Sequence, residues 1–169
     1  AALGKGALQE NTTGTQNVAV GTNSLDTATT GNCNTALGHG TMGENTTGSN
    51  NVAVGRTALF SNTTASNNTA VGVSALQTNT TGSNNTAVGG EALTANTTGA
   101  NNTSIGKNSM LGNTEGASNT ALGNNALQCN TTADNNTAVG RCSLRSNTTG
   151  ASNTALGCIT LRDNTTGAN

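Results

Sequence analysis

A 17-residue unit repeats from one end of this chain to the other. It reads Asn-Thr-Thr-Gly-x-x-Asn-Thr-Ala-Val-Gly-x-x-Ala-Leu-x-x, and its first position falls on residues 11, 28, 45, 62, 79, 96, 113, 130, 147 and 164 without insertion or deletion. A fixed short period is typical of proteins whose units are stable only when stacked on their neighbours. The period predicts one repeat domain over 1–169 with no distinct capping units. Equivalent residues are identified below by unit positions 1 to 17.

Composition narrows the class of protein. The chain has one Phe, no Trp and no Tyr, so its interior must be built from small side chains rather than aromatic ones. Charged residues make up 8%, the net charge is −1 and the six basic residues are scattered, which does not fit a nucleic-acid binder. No apolar run approaches the roughly 20 residues that a membrane span requires. We therefore expect neither nucleic-acid binding nor membrane insertion.

The length of the unit favours strands over helices, because helical repeats need about 33 residues or more. The segment Asn-Thr-Ala-Val-Gly alternates like a strand. Gly at position 11 occurs in all ten copies and predicts a corner, and Asn-Thr-Thr-Gly predicts a second one. The sequence thus predicts an all-β fold, a parallel β-solenoid of about ten 17-residue coils.

Two positions are aliphatic or Met in every copy, namely 10 and 15. We expect both to face inward together with position 8, and to form continuous buried rows, since each buried Leu or Val contributes about 1.5–3 kcal/mol. The position-10 row is represented by Val20, Val54, Val71, Val88, Ile105 and Val139, and the position-15 row by Leu59, Leu76, Leu93 and Leu127.

Position 7 is Asn in all nine copies present, where Asp or Ser would serve an ordinary turn. This predicts an internal ladder in which each Asn hydrogen-bonds to its equivalent, or to the backbone, one coil away. The ladder is represented by Asn51, Asn68, Asn85 and Asn102.

The strand motif carries a resemblance to a known family. The segments 17–21 (Asn-Val-Ala-Val-Gly) and 51–55, with the related Asn-Thr-Ala-Val-Gly segments, resemble the repeats in head domains of YadA-like trimeric autotransporter adhesins. The whole array is also similar to repeats in tail-fibre-like bacterial and environmental surface proteins. The resemblance implies a parallel β-roll, a surface location and trimerisation. The adhesin repeat is shorter, so each coil here must hold an additional turn.

Sequons for N-glycosylation recur along the chain. Asn-Thr-Thr occurs at Asn11, Asn45, Asn62, Asn79, Asn96, Asn130, Asn147 and Asn164, and Asn-Asn-Thr at Asn67, Asn84, Asn101 and Asn135. Position 3 is Thr in nine of ten copies and never Ser, which favours glycosylated corners. The alternative is that Asn and Thr simply suit corners and ladders.

The remaining reactive residues do not form a recognisable centre. Cys142 and Cys158 are separated by one residue less than a full period, on neighbouring coils, and form a candidate disulfide pair; the alternative is four unpaired thiols. The one histidine, His39, and the lack of Cys-x-x-Cys argue against a zinc site. The seven acidic residues fall in different repeats. We therefore expect no metal, no cofactor and no catalytic site, and predict that the chain is not an enzyme.

Together these features predict a structural segment of an extracellular fibre or filament, at a cell or virion surface, glycosylated and extended head to tail. Its partners would be other copies of itself, stacked end to end or as a trimer, and glycans. A trimeric adhesin or tail-fibre shaft or head that binds a surface receptor is the first alternative. Because Thr recurs at positions 2, 3 and 8, an ice-binding solenoid is the second.

Overall fold

The computed structural model describes residues 1–168. It contains ten parallel strands in one sheet whose order follows the chain. The strands are β1 (Ala2–Leu3), β2 (Val18–Val20), β3 (Thr35–Leu37), β4 (Val52–Val54), β5 (Thr69–Val71), β6 (Thr86–Val88), β7 (Thr103–Ile105), β8 (Thr120–Leu122), β9 (Thr137–Val139) and β10 (Thr154–Leu156). This confirms the predicted all-β solenoid. The predicted domain, 1–169, extends one residue beyond the described part of the chain.

Each strand pairs with the strand one repeat away. In the pairing of β5 with β6, for example, Ala70 lies opposite Ala87 and Val71 opposite Val88. The same offset of one full period holds for every neighbouring pair. At about 4.8 Å between strands, the ten strands extend for about 43 Å. Equivalent residues therefore form straight columns along the rod.

Turns close each coil between its strands, and positions 6, 11, 13 and 15 have positive φ in every described copy. Position 11 is Gly in all ten coils, with φ between 123° and 140°. A Cβ on Gly55 would lie 2.5 Å from the carbonyl oxygen of Gly72 in the next coil, so no side chain fits there. Position 15 has left-handed backbone, with φ between 47° and 54°, although it carries Leu or Met. Burial of that side chain offsets the unfavourable backbone conformation.

The interior is narrow and holds small side chains. Position 15 is fully buried from Leu25 to Leu144, which confirms the predicted row through Leu59, Leu76, Leu93 and Leu127. Position 9, Ala in nine copies, and position 14, which is Ala, Ser or Thr, pack around it. One large and two small side chains thus fill the apolar part of each coil.

The prediction that position 10 is buried is wrong. Val20 and Ile105 are 37% and 42% exposed, and the other residues of the predicted row, Val54, Val71, Val88 and Val139, are only half-buried. Alternation along the strand places position 9 inward and positions 8 and 10 outward. The reason is space, because the position-15 side chain already occupies the interior and leaves room for Ala opposite it but not for Val or Leu.

The Asn ladder at position 7 is confirmed. The backbone N–H groups of Asn68, Asn85 and Asn102 each donate to the side-chain oxygen of the Asn one coil earlier, at 2.9 Å. Asn51 makes the same bond at 3.0 Å to Asn34. The side-chain amide of Asn85 donates onward to the carbonyl of Gly99. These buried amides join three successive coils and satisfy backbone groups that the narrow core leaves inside.

A second amide ladder follows position 1. The Nδ2 of Asn79 donates to Oδ1 of Asn62 at 3.1 Å and to the carbonyl of Gly82 at 2.9 Å. The same double donation recurs at Asn62, Asn96, Asn113, Asn130 and Asn147, all fully buried. The corner Asn of the repeat is therefore part of the core.

Candidate functional site

A concave site is absent from the described part of the chain. Residues 1–168 contain no detectable pocket and no group of three or more His, Cys, Asp or Glu side chains placed to hold a metal ion. Within that range no helix has the length and hydropathy of a membrane span.

The position-1 sequons are poor acceptors, contrary to the expectation of exposed corners. Asn45, Asn62, Asn79, Asn96, Asn130 and Asn147 are 0% exposed. A glycan is attached at Nδ2, and that atom is buried and donates two hydrogen bonds in five of these residues and one in Asn45. Asn11 and Asn164, in the outer coils, are half-buried and donate to the same kind of carbonyl. The buried amides serve the ladder instead.

The position-6 sequons are placed differently. Asn67, Asn84, Asn101 and Asn135 are exposed, and their backbone is left-handed, with φ between 59° and 62°. Asn tolerates this conformation better than most residues. These four residues are the sequons whose amides lie at the surface of the rod.

The candidate disulfide is not formed. All four cysteines are free, and Cys142 is buried whereas Cys158 is exposed. Although the two residues lie on neighbouring coils, they occupy different unit positions, 13 and 12, and their side chains enter different environments. Cys33 is exposed, and its thiol donates to Oε1 of Gln16 at 2.9 Å.

The outward side of the sheet is the most distinctive surface of the rod. We call it the sheet face and define it as positions 6, 8 and 10 of every coil. Position 10 is Val, Leu or Ile throughout, and position 8 is Val or Thr in coils β2 to β10. No charged side chain occurs at these three positions in any copy. The sheet face is therefore an uncharged strip outside the core, with one aliphatic column at position 10 beside a mostly Thr column at position 8 and a polar column at position 6.

Basic side chains occur along one border of the sheet face, and two acidic ones along the other. Beyond position 10, position 12 carries exposed basic groups and no acidic one: Lys5, His39, Arg56, Lys107 and Arg141. Beyond position 6, at positions 5 and 3, the charged side chains are Asp134 and Glu115, both acidic. The one ion pair in the described chain, Arg162 with Asp163 at 3.7 Å, joins two exposed side chains and contributes little.

Two adjacent threonine columns lie on another side of the rod and differ in their bonding. At position 2 the hydroxyl of Thr80 donates to the carbonyl of Thr97 at 3.0 Å, and eight other coils make the same bond. At position 3 every Thr is exposed, and its hydroxyl makes no hydrogen bond within the described residues. The two columns therefore have different roles.

Comparison of the chain with protein-family models, with curated proteins and with solved structures gave no match. Sequence reasoning missed the sheet face and the position-1 ladder. The signals for both were present, since position 9 is almost always Ala and position 1 is Asn in nine of ten copies.

Proposed function

We propose that this chain is a structural segment of an extracellular fibre, in which copies of the rod pack side by side through the sheet face. The observation that carries the proposal is the aliphatic side chain at position 10 in every coil. This position is outside the core, so folding of a single rod does not require Val, Leu or Ile there. Positions 12, 13, 16 and 17, by contrast, hold all but two of the Lys, Arg, Asp and Glu side chains.

The size of the sheet face suits contact with another copy. The strip is about 13.2 Å wide, which is two steps of about 6.6 Å between alternate strand residues. Along about 43 Å of stacked strands it covers about 570 Å² on each copy. A pair would bury about 1,100 Å², which meets the roughly 1,000 Å² expected of a specific interface. Because the strip has no charge, a second uncharged strip is a better partner than a charged surface.

A trimeric adhesin or tail-fibre shaft is the second candidate, and it uses the same strip. Column 10 is the most apolar of the three columns, and three copies could bring it together at a common axis. The resemblance to adhesin heads supports this arrangement and the surface location. Ice binding, which rests on the recurring Thr at positions 2, 3 and 8, has weaker support. The position-2 hydroxyls are bonded to the next coil and position 8 mixes Val with Thr, which leaves position 3 as a single regular column rather than a flat surface of several.

Extension of the fibre along its axis is a further part of the proposal. It is supported by the constant one-period offset between all neighbouring strands, since a coil of one copy could stack on a coil of another in the same register. Electron microscopy of native fibres would test it. Coil spacing that continues across copies is the expected result, and isolated rods of single-chain length would contradict it.

A charge placed on the sheet face tests side-by-side packing. We expect Val71→Lys to reduce the associated fraction at least tenfold, because an unpaired ammonium would be buried between copies. Val73→Lys is the matched control: Val73 lies two residues away, is 46% exposed and is at position 12, outside the strip. Light scattering coupled to gel filtration gives the copy number, and circular dichroism confirms that both variants fold.

The result discriminates between the candidates. Dimers or larger lateral assemblies support fibre packing, and a discrete trimer supports the adhesin-like shaft. A protein that is monomeric at all concentrations, or one in which both variants associate equally, would overturn the proposed use of the sheet face. Thermal hysteresis in the monomer would then favour ice binding.

A further inference from the structure

The threonine column at position 3 is under a constraint that the fold does not explain. Nine of its ten residues are Thr, and Glu115 is the exception. All ten side chains are exposed, and none of the nine hydroxyl groups makes a hydrogen bond within the described residues. At position 3 the coil uses the backbone N–H, as in Thr81, which donates to the carbonyl of Thr97. Any residue except Pro supplies that donor.

The constraint is not merely a remnant of a recent duplication. Position 12, which is similarly exposed in most coils, holds eight different residue types in ten copies. Positions 13, 16 and 17 hold seven types each. The copies have therefore diverged wherever the surface tolerates change, and position 3 has been kept as Thr during the same divergence.

N-glycosylation does not account for the constraint either. A sequon would require Thr or Ser two residues after an accessible Asn. The Asn at position 1 is buried in most coils, and its Nδ2 is used by the amide ladder. The residue whose hydroxyl is free and exposed is the threonine itself.

We propose that the position-3 threonines are acceptors for O-linked glycosylation. The acceptors would be Thr13, Thr30, Thr47, Thr64, Thr81, Thr98, Thr132, Thr149 and Thr166. In the transfer step the Oγ1 atom attacks the anomeric carbon of a sugar activated by a nucleotide or lipid phosphate. A carbon–oxygen bond to Thr forms, the bond from the sugar to the phosphate breaks, and the hydroxyl proton passes to a base of the transferase.

The structure allows such a modification without changing the rod. The neighbour at position 4 is Gly or Ala in every coil, so no bulky side chain stands beside the acceptor. The column lies outside positions 6, 8 and 10, and a sugar there leaves the sheet face open. Sugars on successive coils, about 4.8 Å apart, would hydrate a surface that has very little charge. The inference stands whether or not copies pack through the sheet face.

The test is the mass of protein isolated from the organism that makes it. We expect proteolytic peptides that contain position 3 to be heavier than their amino-acid sequence requires, in a ladder of peaks separated by one sugar unit. Fragmentation by electron transfer should place the sugars at position 3 and at neither position 2 nor position 6. Alkaline β-elimination should remove them, and peptide-N-glycosidase should not.

Variants expressed in the native host provide the matched comparison. Thr81→Ala should lower the maximum number of attached sugars by one, whereas Thr80→Ala, at the hydrogen-bonded position 2, should leave it unchanged. An unmodified native mass, or sugars that are released by peptide-N-glycosidase from Asn67, Asn84, Asn101 and Asn135, would overturn the inference. A loss of stability caused by Thr81→Ser in protein that carries no sugar would also overturn it, because a backbone preference for Thr would then explain the column.

Discussion

At the scale of single residues, the buried amides are the unusual feature of this protein. The seven units that begin at residues 45 to 147 each place two Asn side chains inside, at positions 1 and 7, where most proteins would place hydrophobic groups. Burying an amide is costly unless it is hydrogen-bonded, and stacking supplies each one with partners in the neighbouring coil. The amides therefore stabilise the stack and also fix its register, because a displaced coil would leave them without partners.

A natural gap in the position-1 ladder shows how the partners depend on each other. Position 1 is Ala28 in the second copy of the unit, and Oδ1 of Asn11, one coil earlier, is buried without a partner. In intact parts of the ladder this oxygen accepts from the next Asn, as Asn62 accepts from Asn79. The missing amide of residue 28 explains the unpaired oxygen.

Filling this gap should stabilise the protein. We expect Ala28→Asn to raise the free energy of unfolding by about 1–2 kcal/mol, since it supplies a donor to Asn11 and an acceptor to Asn45. The converse change, Asn79→Ala, should lower it by about 1–3 kcal/mol, because Oδ1 of Asn62 loses its donor and Nδ2 of Asn96 loses one of its two acceptors. Urea unfolding followed by circular dichroism measures both. A destabilising Ala28→Asn would contradict the role assigned to the ladder.

At the scale of the secondary-structure element, each coil is a short strand joined to turns that need special backbone geometry. Position 11 ends the strand with a positive φ and with the next coil's carbonyl close by, and only Gly satisfies both conditions. Position 15 then turns back with Leu or Met in the left-handed region. The strand is short because these turns must return the chain to the same place within a single period.

Two adjacent glycines allow the requirement for Gly at position 11 to be distinguished from a general preference for Gly in the turn. Gly89, at position 11, has φ of +134°, and an added Cβ would lie 2.7 Å from the carbonyl oxygen of Gly106. Gly90 has no atom within 4 Å of an added Cβ. We expect Gly89→Ala to lower the free energy of unfolding by at least about 1–3 kcal/mol.

Gly90→Ala is the matched control. It should leave stability unchanged or raise it by about 0.4–1 kcal/mol, because Ala restricts the unfolded chain and meets nothing in the folded one. Thermal and urea unfolding of the two variants provide the comparison. Equal effects at both positions would show that the close approach of coils at position 11 does not affect the free energy of unfolding.

At the scale of the whole molecule, the rod is a one-dimensional stack in which each coil contacts its neighbours through the same columns. Stability in such proteins is approximately a sum of terms for coils and for the interfaces between them. The sheet face and the position-3 column are properties of this scale, because neither exists in a single coil.

Removal of one complete period should therefore be tolerated. Deletion of residues 62–78 joins position 17 to position 1 and keeps every column aligned. We expect a folded protein that is shorter by about 4.8 Å, measured by small-angle X-ray scattering. Deletion of residues 62–69, the control, leaves a coil too short to close and should cause a much larger loss of strand signal. Similar stability of the two deletions would be inconsistent with a register-dependent stack.

The fold class, the buried Leu row and the position-7 ladder were all predictable from the sequence by itself. An uninterrupted period requires identical neighbours, and Leu at position 15 and Asn at position 7 have no reason to recur in every coil unless they are inside. The repeated unit alone contains this information, so it can be inferred without knowing the shape of the coil in cross-section.

Only the tertiary structure decided which side of the strand faces inward and which Asn amides are accessible. Alternation along Thr69–Val71 is compatible with either side, and hydrophobicity favoured Val71 over Ala70. The closed coil reverses that choice because Leu76, entering from the opposite wall, occupies the interior and leaves space for Ala70 alone. Because the cross-section is small, Asn79 also lies inside the coil. The width of the interior depends on how every residue of the unit contributes to closing the coil, so no single segment of the sequence contains it.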